Sequence, residues 1–214
     1  MLSSYKTVKG QGEHEIVIQK SRFIASVTRA ETEEEAQSFI ERIKKQHSQA
    51  SHNCSAYLIG EHDQIQKAND DGEPSGTAGV PMLDVLKKQE LKDTVVVVTR
   101  YFGGIKLGGG GLIRAYSNAV SEGLKATGIV KRELADLVSV RFDYSLLGKI
   151  ENEIRASDFI LKDIDYEDQV VLNAYVPAGH MDAFESWING LTSGQVEITP
   201  IEITYLEEPM WKYP

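Results

Sequence analysis

Cysteine is almost absent from this sequence, because Cys54 is the only one. A single thiol excludes an internal disulfide, so no feature of the chain calls for an oxidising compartment. Long apolar runs are also lacking: the longest strongly apolar run is the four valines at 95–98, and the first ten residues hold no apolar segment typical of a signal peptide. We therefore expect neither a signal peptide nor a membrane span, and a cytoplasmic location.

An excess of positive charge is lacking as well, and the negative charge is distributed unevenly. The formal net charge is −9; residues 1–131 carry 17 Lys and Arg against 16 Asp and Glu, whereas residues 132–214 carry 6 against 16. The acidic part disfavours contact with phosphate backbones, and the nearly neutral part is free to bind them locally. The asymmetry predicts two domains, 1–131 and 132–214, that face different partners; ordinary surface solvation is the alternative explanation.

Two common nucleotide-binding patterns are missing, although the chain contains a dense glycine segment. Glycines at 103, 104 and 108–111 lie between a buried strand predicted over 94–99 and a helix predicted after Gly111, which Gly128 is expected to end as a C-cap. Neither the lysine of a P-loop nor the last glycine of a dinucleotide loop is in place. A helix N-terminus with its unpaired N–H groups nevertheless favours an anion or a phosphate, and Lys106 and Arg114 flank it. Close packing of the backbone is the alternative reason for these glycines.

The polar loop at residues 69–81 belongs to a second strand, loop and helix unit. Ser75 and Thr77 place two hydroxyl groups in this loop, just before the predicted helix N-terminus. If both loops lie at one end of one sheet, they share a cleft. The loop also carries three carboxylates that could hold magnesium through oxygen ligands, although loop carboxylates more often cap turns; these are Asp70, Asp71 and Glu73.

Cations are mixed with aromatic residues in two short segments, as they are on surfaces that bind single-stranded RNA or DNA. The first segment is KSRF at 20–23, in a strand pair predicted over 15–19 and 22–28, and the second is RYF at 100–102. A helix that Thr32 and Glu35 cap is predicted after this strand pair. A surface whose long cationic side chains cover core aromatics is the alternative interpretation.

His52 and Cys54 together suggest a thiol nucleophile with its base, but a half-buried histidine beside a small core cysteine is the preferred interpretation. No acid, base and nucleophile assemble in the sequence into a recognisable catalytic set. The residues alone therefore favour a binding protein over an enzyme, and they indicate no cofactor.

Beyond Arg132 the pattern changes to strand, helix, strand, strand, helix, strand. The strands are predicted over 137–144, 159–166, 170–176 and 196–205, and the helices over 146–156 and 180–191. This order is that of the ferredoxin-like βαββαβ fold. Pro200 lies inside the last strand, which therefore has to be at a sheet edge. The whole chain is accordingly predicted to be of the α+β class.

Four segments resemble the signature of the IMPACT family, in particular of its bacterial two-domain members: KSRFIA at 20–25, HNCSAY at 52–57, DDGEPSGTAGVP at 70–81 and VVVVTRYFGGIKLGGGGLIRAY at 95–116. The resemblance implies an N-terminal domain like the second domain of ribosomal protein S-five and a ferredoxin-like C-terminal domain. A similar pair of folds occurs in the last domains of elongation factor G, which implies ribosome or RNA contact by fold analogy only. For eukaryotic relatives, the family implies regulation of translation under amino-acid starvation.

These observations predict a cytoplasmic regulatory or binding protein with a translation-linked, stress-related role, which contacts RNA, the ribosome or a nucleotide-like anion through the cleft between the two loops. The acidic C-terminal domain could dock a protein partner. A magnesium-dependent enzyme acting on a phosphorylated small molecule is the alternative. The residues expected to bind the ligand are Lys20, Arg22, Ser75, Thr77, Arg100, Tyr101, Gly103, Gly104, Lys106, Gly108, Gly109, Gly110, Gly111 and Arg114, with Tyr101 or Phe102 meeting a base.

Overall fold

The computed structural model describes residues 1–209, so the last five residues of the predicted C-terminal domain lie outside the described part. Contacts divide the chain into two units, one of Met1–Ser4 with Arg132–Glu207 and the other centred on Tyr5–Lys131. The strands are β1 (Ser4–Val8), β2 (Gly12–Ile18), β3 (Ser21–Arg29), β4 (His52–Ile59), β5 (Ile65–Asn69), β6 (Thr94–Tyr101), β7 (Ile129–Phe142), β8 (Ile160–Tyr166), β9 (Val170–Pro177) and β10 (Glu197–Pro209). The helices are α1 (Glu33–Gln46), α2 (Gly79–Lys88), α3 (Gly108–Thr127), α4 (Leu147–Ala156) and α5 (Met181–Thr192).

The N-terminal sheet is antiparallel and has the order β2-β3-β6-β4-β5, with β6 at its centre. This position explains why all four valines at 95–98 are buried, as their unbroken apolar run predicted. Val95 and Val97 pack with apolar residues of α1 on one face of the sheet. Val96 and Val98 pack with apolar residues of α2 and α3 on the other face.

Local signals in the sequence fix several boundaries of this unit. β2 and β3 form the predicted strand pair, and their two-residue turn places Gln19 and Lys20 at positive φ, 46° and 66°, as turns of this hairpin type require. Thr32 is the predicted cap of α1, because its side chain accepts a hydrogen bond from the Glu35 N–H. Gly128 ends α3 at φ +83°, again as predicted.

The predicted start of α3 needs a correction. We expected the glycine segment to be loop up to Gly111, but the structure places glycines 108–111 in the first turn of the helix. The sequence gives a poor signal here because glycine is unfavourable inside helices, whereas a first turn whose amides make no helical bonds tolerates it. The loop is therefore shorter, and it ends at Leu107.

The C-terminal sheet has the order β10-β7-β9-β8, with β1 also paired with β7. With α4 and α5 this is the strand order of the ferredoxin-like βαββαβ fold, so the predicted α+β class is confirmed. The alternating burial along β9 produces one apolar face, which packs with both helices around Phe184 and Ile150. Within residues 1–209, no helix is both long enough and apolar enough to span a membrane.

Candidate functional site

The polar loop at 69–81 and the glycine segment at 103–111 line one cavity of about 480 Å³ in the N-terminal unit. The polar loop contributes Glu73 and Pro74, and the glycine segment contributes the start of α3. The ends of β4 and β6 form the rest of the wall. The lining residues are Ser51, His52, Glu73, Pro74, Arg100, Phe102, Lys106, Leu107, Gly108, Gly109 and Leu112.

The N-terminus of α3 opens towards this cavity. Leu107 precedes the helix and supplies no side-chain cap, while Gly108 and Gly109 are exposed and line the cavity. A β-carbon added at Gly109 would meet only the Thr77 methyl group, at 3.9 Å. The start of a 20-residue helix, with its partial positive charge, therefore borders the cavity at two residues that have no side chains.

By contrast, a side chain of the protein itself occupies the N-terminus of α2. Asp70 accepts hydrogen bonds from the backbone N–H groups of Gly76, Ala78 and Gly79 at 2.8, 3.0 and 2.8 Å. Partial burial would by itself raise the pKa of Asp70, but these backbone bonds outweigh it and hold the pKa below the ordinary value. Of the two helix starts, only that of α3 is therefore open to an outside anion.

A buried ion pair forms the floor of the cavity. Arg100 Nη1 donates to Glu73 Oε1 at 2.7 Å, and the two side chains are only 6% and 3% exposed. The same carboxylate oxygen accepts from the Tyr116 hydroxyl at 2.8 Å, and burial raises the pKa of Tyr116. Glu73 is thus held by two donors from different elements, which makes the floor rigid.

His52 and Cys54 lie beside this floor but do not form a nucleophilic pair. Cys54 is fully buried, donates to the Asp70 carbonyl at 3.0 Å and lies 3.4 Å from the Tyr116 hydroxyl. Burial raises the pKa of the Cys54 thiol to about 12, so it is not a thiolate near neutral pH. His52 is half-buried and is held by the Asp71 carbonyl. The preferred interpretation of a half-buried histidine and a core cysteine is confirmed.

The three loop carboxylates do not point to a common centre. Asp70 binds the α2 amides, Glu73 binds Arg100, and Asp71 accepts from Lys44 at 2.7 Å and from the Asn53 N–H at 2.7 Å. Within the described residues, no three His, Cys, Asp or Glu side chains are grouped as they would be around a metal ion. The magnesium hypothesis therefore finds no geometric support in this loop.

The sheet separates the predicted ligand-binding residues into two groups. Arg100 pairs in register with Phe23 and His52, on the face that carries α2 and α3. Arg22 pairs in register with Tyr101 on the opposite face, where the guanidinium lies 5.1 Å from the ring centroid. The structure therefore does not bring the two RYF residues, 100 and 101, to one site.

The residues on the α1 face are already bound to each other. Arg22 donates two hydrogen bonds to Glu15, at 2.9 and 2.7 Å, and these bonds lower the pKa of Glu15. The Tyr101 hydroxyl lies 2.9 Å from His47 Nδ1. Lys20 is exposed in the β2–β3 turn, and a β-carbon at Gly103 would overlap its carbonyl group. At Gly103, the backbone therefore approaches another strand turn closely, as the alternative explanation of the glycine segment, close packing of the backbone, predicted.

The other predicted binding residues lie near the cavity or in a neighbouring groove. Lys106 is exposed at the cavity mouth, and Gly104 is exposed with φ +84°. Ser75 is exposed, whereas the Thr77 hydroxyl is bound to the Pro74 carbonyl at 2.6 Å. Arg114 lines a separate groove on α3, together with Gly111 and Asn118 among others. Gly110 is exposed in the first turn of α3. Ligand binding by these residues stays a prediction.

Comparison with known proteins identifies the family to which this chain belongs. A relative named IMPACT family member YvyE, from Bacillus subtilis, is 62% identical over 208 residues, which cover 97% of this chain and 96% of the relative. This chain belongs to the IMPACT family. The profile of the Impact N-terminal domain matches residues 19–124, and a domain of unknown function, DUF1949, matches residues 140–195. The predicted resemblance is thereby confirmed.

Two further comparisons extend along most of this IMPACT family chain. IMPACT family member YigZ of Escherichia coli is 33% identical and covers 86% of the chain and 92% of its own length. A crystal structure described as that of a hypothetical protein covers 94% of this chain and 99% of its own, with a TM-score of 0.60 and 30% identity. A protein from Dictyostelium discoideum, named Protein IMPACT homolog, is 39% identical over 94 residues, which are 42% of this chain and 27% of its own.

Several cavity residues of this IMPACT family member were not predicted from the sequence. Pro74, Leu107 and Leu112 supply apolar walls, and Ser51 accepts a hydrogen bond from the Phe102 N–H at 3.1 Å. The alternation along β4 and β6 carries a signal for part of the site, because it places His52 and Arg100 on the same face. The apolar walls carry no such signal, since Pro74 and Leu107 lie in loops, Leu112 lies in α3, and only the tertiary fold brings the three together.

Proposed function

We propose that this IMPACT family member is a translation-linked binding protein, which contacts RNA or the ribosome through the cavity between its two loops. The observation that carries the proposal is the open N-terminus of α3, where the exposed glycines 108 and 109 line a cavity bordered by Lys106. Backbone N–H groups at a helix start are ready-made donors for phosphate oxygens. The translation-linked role itself rests on the family.

The charge around the cavity supports a local phosphate contact. The C-terminal part of the chain carries the whole acidic excess, while residues 1–131 are nearly neutral. Lys106 is exposed beside the α3 amides, so its ammonium group can meet a phosphate oxygen without disturbing the fold. Arg100 contributes less net charge, because Glu73 neutralises it.

An aromatic surface next to these donors supports RNA over a bare anion. Phe102 lines the cavity and is 48% exposed, which leaves much of its ring available to a base. Stacking of a base on an aromatic ring is tolerant of sequence and adds to the phosphate contacts. The proposal therefore predicts binding with little sequence preference and a clear dependence on salt.

The experiment is co-sedimentation of the full chain with ribosomes, and filter binding to a single-stranded RNA, over a series of salt concentrations. Lys106→Ala is expected to weaken binding and to reduce the slope of log affinity against log salt by about 1, because one phosphate contact is lost. Lys88→Ala is the matched control, since it removes the same charge from the far end of α2. Equal binding and slope in wild type and Lys106→Ala would contradict the proposal.

A further inference from the structure

The C-terminal sheet has one face on which neither α4 nor α5 packs. Both helices pack against Val170, Leu172 and Ala174 of β9, which are 0% exposed. Alternate residues of a strand point to opposite faces, and the β9 residues that point away from the helices are only half-buried. The strand register pairs three of them with residues of β8: Ile160 with Tyr175, Asp163 with Asn173, and Asp165 with Val171. We call these six residues the β8–β9 face.

Ile160 and Tyr175 form an apolar end of this face. Ile160 is 51% exposed in the edge strand β8, and Tyr175 is half-buried beside it. Leu137 of β7 continues the same row at 2% exposure, so the row becomes more accessible towards the β8 edge. The Tyr175 hydroxyl has no partner among residues 1–209. Tyrosine suits a protein interface, because its ring buries apolar area while its hydroxyl can still form a hydrogen bond.

Two exposed carboxylates, those of Asp163 and Asp165, follow this apolar end along β8. Asp163 accepts a hydrogen bond from the neutral Asn173 amide at 2.6 Å, and Asp165 has no partner among the described residues. Successive residues on one face of a strand are roughly 7 Å apart, which leaves room for one cation of a partner at each carboxylate. Neither carboxylate is neutralised within the described part of the chain.

The cations nearest in the strand pairing do not change this. Arg141 of β7 is on the same face, and its guanidinium pairs with Glu167 at 3.9 Å. Lys162 lies at the β8 bulge and makes no ion pair within residues 1–209. Asp168 adds a further exposed carboxylate in the turn after β8. The surroundings of the β8–β9 face are therefore negative, as is the C-terminal part as a whole, where residues 132–214 carry 6 Lys and Arg against 16 Asp and Glu.

The charge favours one kind of occupant over two others. RNA would bring phosphates against Asp163 and Asp165, which costs electrostatic free energy. A second copy of the chain would bring carboxylates against carboxylates. A positively charged protein segment with an apolar residue complements both the aspartates and the apolar end.

We propose that the β8–β9 face docks a basic segment of another protein, with an apolar side chain against Ile160 and Tyr175 and with lysine or arginine at Asp163 and Asp165. The inference goes beyond the proposed function and does not rest on it, because the face belongs to the C-terminal unit. Six side chains are fewer than the roughly 20–30 residues a side of a stable interface, so the contact is weak and sensitive to salt.

The first experiment titrates the full chain into a fluorescent heptapeptide, KVKVKVK, and follows the polarisation at low and at high salt. Binding is expected at low salt and should weaken as salt is added. The peptide KSKSKSK keeps the charge without the apolar side chains and is expected to bind at least about threefold more weakly. The peptide EVEVEVE should not bind. Equal affinity for KVKVKVK and KSKSKSK, or no binding of KVKVKVK at millimolar concentration, would overturn the inference.

A pair of double variants locates the charge contact. Asp163→Asn with Asp165→Asn is expected to weaken KVKVKVK binding by about threefold to tenfold, because two exposed ion pairs are lost. Asp182→Asn with Glu185→Gln is the matched control, since it removes the same charge from exposed positions on α5, which packs on the opposite face. If the α5 control weakens binding as much as the β8 variant, the peptide responds to net charge alone and the inference fails.

A second pair of variants locates the apolar contact. Ile160→Thr keeps a β-branched side chain and should weaken binding of KVKVKVK without affecting that of KSKSKSK. Val17→Thr on β2, at a position that is 64% exposed in the N-terminal unit, is the control. Backbone amide shifts of the wild-type chain on addition of KVKVKVK should change most within residues 160–175. Shifts that change mainly outside this range would contradict the inference.

Two further measurements test the other occupants. Sedimentation velocity reports self-association of the wild-type chain, and filter binding reports its affinity for a single-stranded RNA. The Ile160→Thr variant is expected to match wild type in both. Loss of a dimer in the variant would assign the face to a second copy, and loss of RNA binding would assign it to RNA; either result would overturn the inference.

Discussion

Asp70 and Glu73 lie three positions apart in one loop, and yet they act on different parts of the structure. Asp70 holds the start of α2 through three backbone bonds, while Glu73 neutralises a buried arginine. Loop carboxylates cap turns more often than they bind metal, and the contacts of Asp70 with backbone N–H groups are of the capping kind. The sequence did not predict the partner of Glu73, because Arg100 is 27 residues away and only the tertiary fold brings the loop to the end of β6.

Replacement of Asp70 by asparagine is expected to lower the free energy of unfolding at neutral pH by about 1–3 kcal/mol, because three backbone donors lose their charged acceptor. The effect should depend on pH. Since folding lowers the pKa of Asp70, its charged form adds stability that is fully present above the ordinary pKa of 3.8 and is lost as pH falls through the lower folded value. Urea unfolding at neutral and acidic pH measures both effects.

The difference between wild type and Asp70→Asn should therefore shrink in acid. Asp84→Asn is the control, because Asp84 is exposed on α2. We expect that variant to stay within about 0.5 kcal/mol of wild type. A gap between wild type and Asp70→Asn that stays constant down to the acid limit would rule out the charge of Asp70 as its source.

At the scale of single elements, the sequence was informative where a pattern is local and repeated. The four valines, the cap at Thr32 and the C-cap at Gly128 each depend on neighbours within one strand or helix, and each was predicted correctly. The start of α3 was misplaced because four glycines oppose a helix by propensity. The tertiary fold overrides this preference, since Leu112, Ala115 and Tyr116 anchor the helix on the sheet one turn later.

Gly123 tests how closely α3 is packed against this sheet. A β-carbon there would lie 2.8 Å from Ala25 Cβ and 3.4 Å from a Val27 methyl group. Gly123→Ala is expected to destabilise the fold by about 1–3 kcal/mol, although alanine favours a helix by up to about 1 kcal/mol over glycine. Thermal and urea unfolding provide the measurement. The exposed α5 change Gly190→Ala should be neutral or stabilising, and equal behaviour of the two variants would show that the sheet yields without strain.

At the scale of the whole molecule, two hydrophobic cores account for the two patterns seen in the sequence. One core joins the β6 valines to α2 and α3, with a smaller cluster under α1. The other lies between the C-terminal sheet and its two helices, and its described members fall between positions 138 and 198. The change of pattern and of charge near Arg132 indicated such a division. The first four residues were missed, because a short N-terminal segment carries no signal of the unit it joins.

Ile154 provides a test of whether these cores unfold separately. It is fully buried in α4 and packs in the C-terminal core, so Ile154→Ala should cost about 2–5 kcal/mol. Native-state hydrogen exchange of the full chain should then speed up at amides within residues 132–207, because we expect each core to unfold as its own cooperative unit. Val98→Ala in the N-terminal core should speed up exchange within residues 5–131 instead. If either variant accelerates exchange evenly along residues 1–209, the cores form a single cooperative unit and this division does not describe unfolding.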